Sequence, residues 1–163
     1  AFSTLIGFGS SAVMMGLFSD TTSWSELIAP YTVFILSAVM LGWIFIAIAY
    51  VISTSVSEKS KAAGIALIVW LIFVLVFDLG LLGLLVGTQG NVDETLFPYL
   101  LLLNPTDIFR LVNITYFAEQ NLTGLLAIAQ QSQFSLLSLF GGLVVWLLLP
   151  LTLALTIFNR RGL

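Results

Sequence analysis

The chain has 163 residues, of which 60% are hydrophobic and 8% charged, with 5 basic and 8 acidic side chains and a formal net charge of -3. An ordinary soluble domain carries about 25% charged residues, so this composition excludes a water-facing surface over most of the chain and makes lipid its natural surroundings. Five basic residues cannot build a nucleic-acid groove, and within these residues the absence of Cys and His removes disulfides, thiolate or imidazole metal ligands and the commonest general base.

The chain opens inside an apolar run, 1–19, that holds no charge. It begins at Ala1 without an initiator Met, a basic flank or a small-residue cleavage site, and so reads as part of a longer polypeptide. Ser3, Gly7 and Ser11 recur every four residues and mark a face where another helix can come close. Met14 and Met15 carry soft sulfur, but packing is the simpler role for them. A short turn from Asp20 to Glu26 carries only acids.

The second apolar run, 27–52, has Trp24 and Tyr31 near its start, where interfacial aromatics belong. A polar turn with Ser57, Glu58, Lys59 and Lys61 follows and is the best site for cytoplasmic contact. The third run, 62–86, contains Asp78, the one charge-capable residue inside a span. A carboxylate there costs about 2.5–3.5 kcal/mol on insertion scales. It marks either a translocation path or gate, or an aspartate satisfied by a neighbouring helix. Gly83 and Gly87 form a second small-residue stripe. The fourth run, 134–158, is followed by Arg160 and Arg161.

About 20 apolar residues cross a bilayer core of roughly 30 Å, and a spanning backbone must satisfy its own hydrogen bonds. The four runs are therefore predicted as transmembrane helices in one all-α membrane domain covering 1–163. Lys59, Lys61, Arg160 and Arg161 place their segments on the cytoplasmic side. The Asp20–Glu26 turn and the long connection between the third and fourth spans then face outward, and both ends of the chain lie inside.

That connection is too apolar for a solvated loop. Three pieces within 96–130 are hydrophobic but too short to span, which predicts re-entrant or interfacial helices. The segment Asn104-Pro105-Thr106-Asp107 carries a helix start: an N-cap, a proline for the first helical position and an acid for the positive end of the dipole. Asp107 and Arg110 are spaced to pair. Asn104, Asp107, Arg110 and Asn113 are the polar residues expected to meet a partner on the outer face.

No phosphate-binding glycine loop, paired-histidine motif or nucleophile elbow is present in these residues. No residue qualifies as catalytic, cofactor-binding or metal-ligating, and a membrane-embedded enzyme would have only Asp78 to work with.

The segments SVSEKSKAAGIAL at 55–67, LVFDLGLLGLL at 75–85 and LLLLNPTDIFRLVNIT at 100–115, with LPLTLALTIFNRRGL closing the chain, resemble the membrane subunit of ABC-2-type transporters. They are most similar to permeases that serve maturation of nitrous oxide reductase. The resemblance implies six spans, of which these would be the last four, with re-entrant outer helices between the last two. It also implies a bacterial inner-membrane location and a second copy of the permease. Cytoplasmic ATPase subunits would bind ATP and Mg, and a periplasmic β-helix protein would sit on the outer face. The implied role is assembly of a copper–sulfur centre, with a sulfur species as cargo or with force passed to the outer partner. An ABC-2 permease exporting a lipid or a drug would share the same architecture.

Overall fold

The structure is a computed structural model that describes residues 2–18, 24–92, 97–117 and 134–160. Its elements in chain order are α1 (Phe2–Phe18), α2 (Trp24–Ser55), α3 (Lys59–Leu71), a π-helical turn (Ile72–Val76), α4 (Phe77–Gly87), α5 (Phe97–Leu101), α6 (Pro105–Phe117) and α7 (Leu136–Arg160). Every element among the described residues is helical. That is what an apolar chain in hydrocarbon requires, because a helix satisfies its own backbone.

Among the described residues three helices are long and apolar enough to cross a membrane: Ile28–Ser55 within α2, the continuous run Lys59–Gly87 formed by α3, the π-turn and α4, and α7. The expected first span is helical over the 17 described residues of α1, Phe2–Phe18. α2 and α3 meet at the polar turn, where Lys61 Nζ lies 2.9 Å from Glu58 in an exposed pair.

The long helices α2 and α7 pack against each other, and the two short helices complete the core beside them. α6 packs against both α2 and α7 and touches the π-turn. Phe97 and Leu101 of α5 and Ile108, Leu111 and Val112 of α6 join Ile44 of α2 and Leu139 and Leu143 of α7 in one buried cluster. Gly142 allows this approach: a Cβ there would sit 3.3 Å from Ile108 Cδ1. The Lys59–Gly87 span contributes little, since Leu81 is its one buried residue. Its bare face is suited to lipid or to another chain.

The depth of the α5–α6 turn can be read from its anchors. Trp146 Nε1 donates to the Leu102 carbonyl at 3.0 Å, and Asn104 Nδ2 donates to the Phe73 carbonyl at 2.8 Å. Trp146 is ten residues into α7, and Phe73 is fourteen residues from the end of its span at Gly87. At 1.5 Å per residue the turn lies about 15–20 Å below those helix ends, roughly half a bilayer deep. The turn between α5 and α6 thus sits level with the middle of the helices that anchor it. Any returning helix beyond Phe117 falls in 118–133, outside the described residues. Such a turn is tolerated at that depth only because protein surrounds it.

The small-residue stripes have no partner helix among the described residues. Nothing lies within 4 Å of a Cβ placed at Gly7, Gly83 or Gly87.

Candidate functional site

Asn104 starts α6 as expected. Its Oδ1 accepts from the Thr106 backbone N–H at 3.0 Å, the N-cap bond. Its Nδ2 donates to Asp107 Oδ2 at 2.9 Å as well as to Phe73. All three bonds form inside the protein, and Asn104 is fully buried. Asp107 is 4% exposed. The expectation that Asn104 and Asp107 present their side chains outward is therefore corrected. The loop folds into the bundle, and the polar groups turn in to satisfy one another.

Arg110 makes the expected pair one turn on, with Nη1 3.0 Å from Asp107 Oδ1. The same nitrogen lies 2.6 Å from Asp78 Oδ2 on α4. One guanidinium thus sits between two carboxylates from different elements. Arg110 and Asp78 are each about one-third exposed, while Asp107 is enclosed. Asp107 lies on a helix that does not span. Its carboxyl is pushed up to about 6, first by burial and then by the charge of Asp78, against the opposing effects of Arg110 and Asn104.

Asn113 lies further along α6. Its Nδ2 donates to Ser37 Oγ of α2 at 3.2 Å and to the Phe109 carbonyl at 2.7 Å. Its Oδ1 and the Thr106 hydroxyl are buried without a hydrogen-bond partner among the described residues. Of the four residues expected at the outer face, only Arg110 and Asn113 reach the surface in part.

Asp78, Asp107 and Arg110 form the charged edge of a cavity of about 260 Å³. The rest of its wall is apolar and comes from α4, α5 and α6, including Leu81, Phe97 and Leu111. An apolar pocket with a few convergent polar groups is the usual form of a small-molecule site. Among the described residues no group of three or more metal-ligating side chains occurs. Ser57, Glu58, Lys59 and Lys61 stay at the exposed α2–α3 turn, away from this cavity.

A family model described as ABC-2 family transporter protein matches residues 1–163. The chain belongs to the ABC-2 transporter family. It is 44% identical over 162 residues to a protein of Stutzerimonas stutzeri described as a probable ABC transporter permease protein, NosY. It is 42% identical over 161 residues to a protein of the same description from Pseudomonas aeruginosa. Each match covers 99% of this chain but only 59% and 58% of the relative, so the chain spans about three-fifths of their length.

The resemblance seen in the sequence is borne out at the level of the family. The link between Asp78 and Arg110 was not visible there. Thirty-two residues separate them, and only the inward fold of α5 and α6 brings them together.

Proposed function

We propose that the full polypeptide is a NosY-type permease serving assembly of the copper–sulfur centre of nitrous oxide reductase. Two copies pair in the bacterial inner membrane on cytoplasmic ATPase subunits of the NosF type, with a periplasmic β-helix protein of the NosD type outside. ATP and Mg are bound by the ATPase subunits. The Ser57–Lys61 turn lies on the cytoplasmic side and is the contact available there in this segment, and the α5–α6 hairpin faces outward. The observation that carries this reading is the 42–44% identity over 99% of the chain to two proteins described as NosY permeases. The cavity edged by Asp78, Asp107 and Arg110 supports a place for Asp78 on the path or at its gate. ATP hydrolysis either moves a sulfur species past that edge or shifts the hairpin against the outer partner.

A deletion strain tests the assignment. Its nitrous oxide reductase is expected to lack the copper–sulfur centre and to regain it when the full-length gene is restored. A normal centre in the deletion strain would assign the protein to another cargo. The mainly apolar wall of the cavity favours a lipid or drug in that case.

A further inference from the structure

The Lys59–Gly87 span is interrupted at its middle by the π-turn Ile72–Val76. The Phe77 N–H bonds the Ile72 carbonyl, five residues back. In an α-helix it would bond Phe73, four back. The Phe73 carbonyl therefore gives up its ordinary helical donor, and Asn104 Nδ2 supplies one at 2.8 Å. A π-turn adds one residue to the helix, and each residue advances the azimuth by about 100°. Everything beyond the turn is thus set back by about 100° from where a straight α-helix would carry it. With no π-turn, Phe77 would take the azimuth that now faces Arg110. Asp78 would take that of Leu79, which is 58% exposed and points out of the bundle.

We propose that Asn104 is a positioning residue that holds the π-turn open and so aims Asp78 at Arg110 instead of at lipid. The amide is suited to this because it is anchored at its other atoms. Its oxygen caps α6, and its nitrogen also donates to Asp107. The start of α6 and the register of α4 are therefore set by one side chain. This role does not depend on what the transporter carries.

The test reads the azimuth of α4 directly. Single cysteines are placed at successive positions from 77 to 86 of the full chain, spin-labelled in lipid nanodiscs, and assayed for oxygen accessibility. This segment has no native cysteine to interfere. The native chain is expected to show its minimum at position 81 and high values at 79, 82 and 86. Asn104→Ser keeps a capping oxygen but is too short to reach Phe73. It is expected to shift the whole pattern by one position, about 100°, with the minimum moving to 80. Deleting Val74 removes the extra residue, and adding that deletion to Asn104→Ser is expected to return the minimum to Leu81. An unshifted pattern in Asn104→Ser would overturn the proposal. So would loss of periodicity that the Val74 deletion does not restore, since a merely destabilised hairpin would behave that way.

Discussion

Arg110 of α6 lies 2.6 Å from Asp78 of α4, and this pair joins the inserted hairpin to the most exposed span of the bundle. The hairpin is held to α2 and α7 by apolar packing, but its polar link to the third span consists of Arg110 and Asn104. Changes at these positions should loosen that span and leave the α2–α7 core in place.

Arg110→Gln leaves Asp78 in the span without its cation. Both groups are partly exposed, so the loss is smaller than for a fully buried pair, on the order of 1–3 kcal/mol. Thermal unfolding in detergent should show a lower midpoint for Arg110→Gln than for the native chain. The double variant with Asp78→Asn should recover most of the difference. A midpoint for Arg110→Gln equal to that of the native chain would mean that the pair contributes nothing.

Asp107 gives the cluster a pH dependence. Its carboxyl titrates at about 6 in the folded chain against an ordinary value of 3.8, so the folded state holds the proton more tightly than the unfolded state. Its contribution to stability is fully present below pH 3.8 and is lost as the pH rises through about 6. Infrared difference spectra of the folded chain should show a protonated carboxyl band that disappears as the pH rises through about 6 and is absent in Asp107→Asn. A band unchanged by that substitution would belong to another group.

Ser37 and Asn113 tie α2 to α6 through a 3.2 Å hydrogen bond. Interhelical bonds of this kind in membrane proteins contribute about 0.6 kcal/mol on average and up to about 1.7. Ser37→Ala should destabilise the chain within that range. The Asn113→Leu, Ser37→Ala double variant should cost less than the two single changes summed, because both changes remove the same hydrogen bond. Strict additivity in a double-mutant cycle would show that the two side chains do not interact.

Gly142 sits where α7 meets α6. A methyl there meets Ile108 Cδ1 at 3.3 Å, which a flexible side-chain end can accommodate. Gly142→Ala should therefore be close to neutral, helped by the better helix propensity of alanine. Gly142→Leu should cost about 1–3 kcal/mol by overpacking, and Ile108→Ala in the same chain should relieve part of that. Denaturation midpoints of the three variants check the order.

Much of this arrangement is legible in the residues themselves. The uncharged runs mark the long helices, Asn104-Pro105-Thr106-Asp107 marks the start of α6, and the spacing of Asp107 and Arg110 predicts their pair. Asp78 stands out as the one acid inside a span. Its partner does not, because no local rule joins positions thirty-two residues apart. The inward turn of Asn104 and Asp107 was hidden for a similar reason. Polar side chains in a long connection suggest exposure until the packing of Ile108, Val112 and Phe97 shows that the connection itself is buried. The π-turn leaves no mark in its residues, Ile-Phe-Val-Leu-Val, since its cause is a hydrogen bond from elsewhere in the chain.

A charge exchange in the full-length protein measures the link between Asp78 and Arg110 together with the proposed role in nitrous oxide reductase assembly. Asp78→Arg, Arg110→Asp and the double exchange are introduced into the deletion strain, and the visible absorption of the copper–sulfur centre is recorded on the purified reductase. Each single exchange is expected to abolish most of the centre, and the double exchange to restore a substantial part of it. A full centre in the Arg110→Asp strain would contradict the account.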